Sequence, residues 1–420
     1  MPPSPSGLPL PPGVVSLWDL PGRPTRALID LDAIAANAAH LRRLVGPQAA
    51  LMAVVKANGY GHGAEMVARA AVAAGAEQLA VATVDEGAAL RAAGLSVPIL
   101  VLGPIHTGEI EKTLRYDLSL TLCSVAFAGL VERTADRLHL ATQVSCHVKV
   151  DTGMHRFGAD AEQAVAVAAR ASASPYLRLD GVFTHFADAD APDEGFTIEQ
   201  VTCLDAVLRR LGEQGIRPGT VHAANSAAIL RSRRYDYGMV RAGIALYGLS
   251  PADTLSLPAP MRPALSIRST VGRIIGLAPG DSVGYGRTYR AAKRERAVLV
   301  PIGYADGYRR DLSSRAWMGI RGASAPVAGR VSMDQTVVGI PGDLPVRIGD
   351  EVVVVGSSGE GAPTATELAK LLDTIPYEIV ASVAARVPRY YIWRGELLSS
   401  PTLGIRPPTA ATASPAAGAS

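Results

Sequence analysis

The stretch ALMAVVKANGYGHGAEMVARAAVAAGAEQLAVAT, residues 50–83, carries the pattern from which the fold is read. It opens with a continuous apolar run of strand length. Lys56 ends that run, a glycine-rich segment follows, and the amphipathic AEMVARAAVAAG leads into a second apolar run, QLAVAT. Strands buried on both faces read as unbroken Val, Ile, Leu and Ala, so this is a parallel strand, a crossover helix and the next strand. The unit recurs with PILVLG, LSLTLC, QVSCHVKV, LRLDGVFTH, TVHAAN and YGMVRAGIALYGL, each pair of runs separated by an amphipathic stretch. Upstream, Ile34, Ala38, Leu41 and Val45 fall at helical spacing. Eight such runs over about 230 residues predict a (β/α)8 barrel, a TIM-like fold, with a doubly wound open sheet as the alternative arrangement.

Between Pro258 and Pro263 the alternation stops. LSIRSTVGRIIGL, AVLVPIGYA, APVAGRVSMDQTVVGI and DEVVVVG then read as strands between turn signals, with ATELAKLLDTI as one amphipathic exception. The expected organisation is a disordered lead-in over 1–24, a barrel domain over 25–262, a mostly β domain over 263–398 and a disordered tail over 399–420. Both termini are dense in Pro, Gly, Ala and Ser.

The 420 residues carry 41 Lys and Arg against 38 Asp and Glu, with no basic stripe, so nucleic acid is not an expected partner. Apolar runs such as Ala50–Val55 fall far short of the ~20 residues of a membrane span, and no membrane association is expected. Three cysteines, without a C-x-x-C pair, point to neither a disulfide framework nor a thiolate metal site. No clustered His pair stands out, and no metal is expected; His147 and His155 read as solvated or structural. The N-terminus lacks the charged start and apolar stretch of a secretory signal, and the cytoplasm is the expected compartment.

In such barrels the reactive groups sit on the loops after the strands. The first run ends in Lys56, the fifth in Lys149 and Asp151, the sixth in His185, the seventh in Asn225 and Ser226, and the eighth carries Arg241 and Gly243. A lysine partly withdrawn from water at a strand end has a lowered pKa and offers a nucleophilic amine, although a snorkelling lysine occupies the same kind of place. Asn225, Ser226 and Gly243 follow the strands where barrels often hold phosphate, although capping a helix and turning the chain are also frequent uses of these residues. A phosphorylated ligand with a carbonyl would account for both features, and pyridoxal 5'-phosphate is such a ligand.

The segments AVVKANGYGHG (53–63), KVDTGMHRFG (149–158), THFADAD (184–190), HAANSAA (222–228) and MVRAGIALYG (239–248) closely resemble the alanine racemase family. So do VGYGRTYRA (283–291), IGYADGYRR (302–310), AGRVSMDQ (328–335), GDEVVVVG (349–356) and IPYEIVASVAARVPR (375–389), in order along the chain. The resemblance implies a barrel and a β domain, pyridoxal phosphate, alanine as substrate, and a homodimer whose two active sites are each completed by the partner. It implies that Lys56 holds the cofactor and is one catalytic base, and that Tyr285, from the other subunit, is the second. It assigns Tyr60, Ser226, Gly243, Ile244 and Tyr377 to the phosphate, Arg241 to the pyridine nitrogen with His185 and Asn225 beside it, and Arg156 to the phenolic oxygen and the substrate. Lys149, often carbamylated in the family, would orient Arg156. Met333 and Asp334 match the substrate-carboxylate region, and Tyr304, Arg310, Arg330 and Ile375 the approach to it. Gly59, where the family usually has Ala, and the MHRFG wording are departures.

A serine or broad-specificity racemase would share every one of these groups, because side-chain preference depends on the room around Cα. A basic-amino-acid decarboxylase of the same layout needs a Cys in its second domain, whereas all three here precede residue 204. A non-catalytic pyridoxal phosphate-binding protein would lack the second domain and Tyr285.

Overall fold

The computed structural model describes residues 22–398. The tail expected over 399–420, and nearly all of the lead-in over 1–24, lie outside the described residues. The chain forms two compact units: residues 31–264 with 365–383, and the segment up to Asp30 with 265–364 and the residues from Ala384.

In the first unit all eight apolar runs become parallel strands of one sheet. We number the strands β1 (Arg26–Asp30), β2 (Ala50–Val54), β3 (Gln78–Val81), β4 (Ile99–Val101), β5 (Leu120–Leu122), β6 (Val144–Lys149), β7 (Leu177–Phe183), β8 (Thr220–His222) and β9 (Met239–Ala242). The order is β4-β3-β2-β9-β8-β7-β6-β5. A bridge from Leu100 to Ser119 links the two ends, its N–H groups of Val101 and Ser119 donating across 3.0 and 2.9 Å. That closure makes a barrel and excludes the open sheet. Leu51, Met52, Leu79, Ile99, Leu120 and Val148 are fully buried, as strands covered on both faces require.

The crossover helices begin where the sequence offers a side-chain acceptor. Ser124 caps 125–137 and Asp160 caps 161–173, while Thr83 and Glu86 form a reciprocal capping box on Val84–Ala92. The helix Leu31–Leu44 buries Ile34, Ala38 and Leu41, the face read from its spacing.

In the second unit a seven-stranded sheet runs 323–326, 317–320, 351–355, 265–270, β1, 389–393, 396–398. Three-stranded (273–277, 295–300, 336–339) and two-stranded (282–283, 289–290) sheets accompany it. Two assignments differ from the expected domain boundaries. Strand β1 belongs here and not with the barrel, because it pairs antiparallel with 265–270 and parallel with 389–393. Conversely, helices Ala365–Leu371 and Pro376–Ala381 group with the barrel. The reason lies at Gly61, where an added Cβ would sit 1.9 Å from the Val380 carbonyl oxygen, so only a glycine lets that helix approach.

Candidate active site

A cavity of about 760 Å³ opens at the carboxyl ends of the barrel strands. Twelve of the residues singled out from the sequence line it: Lys56, Tyr60, Lys149, Arg156, His185, Asn225, Ser226, Arg241, Gly243, Ile244, Ile375 and Tyr377.

Lys56 stands at the end of β2 and begins an unusual turn. Ala57, Asn58, Gly59 and Tyr60 all have positive φ, at 52°, 53°, 61° and 49°. A left-handed turn costs about 1–2 kcal/mol for each residue with a Cβ, so three of the four store strain and Gly59 relieves it. The turn is pinned from outside. Ala57 N–H donates 2.6 Å to Glu86 Oε1, while Glu86 Oε2 accepts from Ala82 and Thr83 at 2.9 and 3.2 Å. Asn58 Oδ1 accepts from Ala64 N–H. Burial, and next the charge of Arg156, lower the Lys56 pKa.

Glu86 was not singled out from the sequence, although T-x-x-E at 83–86 marks it as a helix start. Glu86→Ala should strip the acceptors from three backbone N–H groups and cost about 2 kcal/mol, read as a lower urea midpoint. Glu86→Gln, which keeps one carbonyl oxygen, should lose less.

Tyr60 is buried, which raises its phenol to about 12. Its ring lies 4.8 Å from that of Tyr247 and 6.0 Å from that of Tyr377. Gly243 completes this corner: a Cβ there would stand 3.0 Å from the Tyr60 hydroxyl and 3.6 Å from Ser226 Oγ. Ser226 Oγ accepts from Gly243 and Ala245 N–H at 2.9 and 3.2 Å, which leaves its own hydrogen to donate. Asn225 caps the following short helix through Ala228 N–H and also lines the cavity.

On the other side Arg241 is buried, its guanidinium donating to His222 Nδ1 (2.8 Å), the Thr184 and Ala223 carbonyls (each 2.8 Å) and His185 Nδ1 (3.1 Å). Burial lowers its pKa to about 9, which still leaves it charged at neutral pH. Burial first, and then Arg241, hold His185 well below the usual histidine range.

Lys149 Nζ donates to the Phe157 carbonyl at 3.1 Å and lies 5.0 Å from the Phe157 ring. Burial, and then Arg241, bring its pKa to about 8. No hydrogen bond joins it to Arg156 among the described residues. His147 is buried and bonded to His222, whereas His155 is exposed with Nδ1 3.5 Å from the Asp151 carboxylate.

The remaining expected residues collect in the other unit. Tyr285 lies on the turn Tyr285–Arg287, its neighbour Gly286 closely approached by the Arg330 guanidinium. Tyr304 and Ala305 N–H donate to the Ser332 and Met333 carbonyls, and Asp334 accepts from Arg386 at 2.6 Å. Ser313 ties the Arg310 carbonyl to Val331 N–H. Tyr285, Met333 and Tyr304 are 70%, 52% and 41% exposed, large side chains left at the surface of their own unit. The helical segment 375–383, by contrast, carries Ile375 and Tyr377 into the barrel unit, which local pattern alone does not disclose.

The family model for the alanine racemase N-terminal domain matches residues 29–251, and that for the C-terminal domain matches 264–391. The chain belongs to the alanine racemase family. Relatives include the alanine racemase of Symbiobacterium thermophilum, 46% identical over 89% of this chain and 98% of its own, and alanine racemase 2 of Bacillus subtilis, 39% identical over 89% and 97%. Among solved structures, the alanine racemase of Bacillus anthracis with bound L-Ala-P superposes with a TM-score of 0.85 at 36% identity, covering 91% of this chain and 99% of that one. The Streptomyces coelicolor alanine racemase gives 0.81 at 37% identity, covering 88% and 98%.

Proposed function

We propose that the protein is an alanine racemase, interconverting L- and D-alanine by proton transfer at Cα with pyridoxal 5'-phosphate, and that it works in the cytoplasm as a homodimer. The observation that carries this reading is one barrel-mouth cavity holding a strand-end lysine, the Tyr60 and Ser226 hydroxyls beside Gly243 with Tyr377 in the same lining, and a buried arginine. The residues fit the cofactor: the hydroxyls of Tyr60, Ser226 and Tyr377 around Gly243 and Ile244 suit a phosphate, and Arg241, beside His185 and Asn225, suits the ring nitrogen. When bound, the cofactor draws the electron pair of the Cα–H bond into its ring.

The chain's own groups do the rest. Lys56, its pKa lowered by burial, would hold the aldehyde carbon and, once freed, take or return the Cα proton on one face. Racemisation needs a second base on the other face. Tyr285, exposed on its own unit, would serve the partner's site in that role, with Met333 and Asp334 beside it and Tyr304, Arg310, Arg330 and Ile375 shaping the approach. Arg156 would meet the phenolic oxygen and the substrate carboxylate. A Lys149 pKa near 8 leaves a fraction of free amine able to add carbon dioxide, and the resulting carbamate would hold Arg156 by charge.

A panel of single L-amino acids followed by chiral chromatography tests the reaction. Racemised alanine with other substrates far slower is the expected result; equal rates on serine would make this a broad-specificity racemase, and no racemisation would remove the proposal. Borohydride reduction should fix the cofactor on Lys56. Mapping of the label to another lysine would refute the assignment.

A further inference from the structure

We propose that His222 and His147 are positioning residues for this reaction: with Arg241 they form a one-way hydrogen-bond chain down the barrel interior, which fixes the guanidinium while leaving its charge unneutralised. The proposal deepens the racemase reading and rests on it for the role of Arg241.

Arg241 is a buried cation that joins no salt bridge among the described residues. Its acceptors are two imidazole nitrogens and two carbonyls, all neutral. A buried charge without a counter-ion costs several kcal/mol, so a site that retains one gains from the charge itself. The nearest acceptor below it, His222 Nδ1 at 2.8 Å, opens onto a third group, since His222 Nε2 lies 3.0 Å from His147 Nδ1. Direction follows from the arginine. A guanidinium has no acceptor, so His222 Nδ1 must be unprotonated. Neutral His222 then carries its proton on Nε2 and donates to His147 Nδ1, and His147 in turn is protonated on Nε2.

Both rings are built into place. His222 stacks on Phe183 with ring centroids 4.6 Å apart and planes 3° from parallel. The β6–β7 ladder skips Asp180, so that His147 pairs with Gly181, where a Cβ would lie 2.2 Å from His147 Nδ1. Burial, chiefly, keeps both imidazoles neutral: Arg241 also acts on each, His147 adds to it at His222, and Asp180 opposes it at His147. His147 borders a second cavity of about 330 Å³ at the amino ends of the strands, whose walls carry Asp180 paired with Arg178. A carboxylate at position 222 would have held Arg241 equally well but cancelled its charge; an imidazole chain holds it without doing so.

A joint X-ray and neutron structure of the wild-type holoenzyme reads the chain directly. Deuterons are expected on Nε2 of both histidines and on neither Nδ1. A deuteron on His222 Nδ1, or a doubly protonated ring, overturns the proposal whatever reaction the enzyme performs. Two variants separate positioning from packing. His147→Asn keeps an acceptor near the Nδ1 position and should stay within about twofold of wild type, whereas His147→Leu should lower kcat roughly tenfold with little change in KM. His147→Leu should also change pyruvate formed per racemisation of alanine. Equal behaviour of the two variants would overturn the proposal. Failure of the racemase reading would show separately, as no racemisation by the wild-type enzyme.

Discussion

Chains bearing Lys56→Ala and chains bearing Tyr285→Phe, each expected to be inactive alone, should regain about a quarter of the wild-type rate when mixed and reassembled. In a homodimer with shared sites, random pairing would make half of the dimers mixed, and a mixed dimer would have one site with both lesions and one with neither. The loss in each parent should be large, about 10⁴-fold, because on the proposed mechanism each would remove a base from one face of Cα. Folding does not enter for Tyr285: its side chain is 70% exposed, and deleting an exposed hydroxyl should change stability by less than about 0.5 kcal/mol. Activity measured against the ratio of the two chains checks the outcome. A mixture that stays inactive, with mixed dimers shown by mass spectrometry, would place the whole site within one chain.

Arg241→Glu should slow racemisation and divert turnover toward pyruvate. The guanidinium only donates, and beside the ring nitrogen of a bound cofactor its charge would oppose protonation there, which would favour prompt return of the proton to Cα. A carboxylate at position 241 would favour the protonated ring, and return of the proton to Cα should be slower. Long-wavelength absorbance should rise during turnover and pyruvate per racemisation should increase. The structure adds a stability cost: Glu cannot donate to the Thr184 and Ala223 carbonyls, and about 3 kcal/mol should be lost. Cofactor occupancy therefore has to be measured first. Unchanged partitioning in a fully loaded variant would mean that Arg241 does not face the ring nitrogen.

Much of this architecture was legible because its signals are local. The apolar runs are buried along most of their length, β4, β5 and β9 throughout, and that requirement is written residue by residue. Lys56, His185 and Asn225 were legible because they follow such runs. The placement of RALID was not, since its partners lie at 265–270 and 389–393 and nothing in five apolar-leaning residues names them. Helix Pro376–Ala381 is short and amphipathic wherever it docks, and the clearance at Gly61 and the approach of Tyr377 to Tyr60, both spatial, select its neighbour. Glu86 reads as a cap, and its second task, holding Ala57 from 29 residues away, is purely spatial. His147, His222 and Arg241 come from three strands, and a lone histidine inside an apolar run carries no mark of the ring that it meets.

The position of β1 has a consequence for the order in which the protein can be made. Residues 31–264 leave the ribosome consecutively, and the eight strands can close on one another as they appear. Arg26–Asp30 emerge before them yet must wait, because one ladder partner is 389–393, near the end of the chain. Until then, even after 265–270 has emerged to pair with one edge, β1 keeps its other edge unpaired, with Ala27 and Ile29 destined for burial. The final step of maturation is thus a long-range closure across more than three hundred residues, a slow kind of event. Nascent chains arrested before residue 389 should bind chaperones through this segment, and release of the last residues should end that binding.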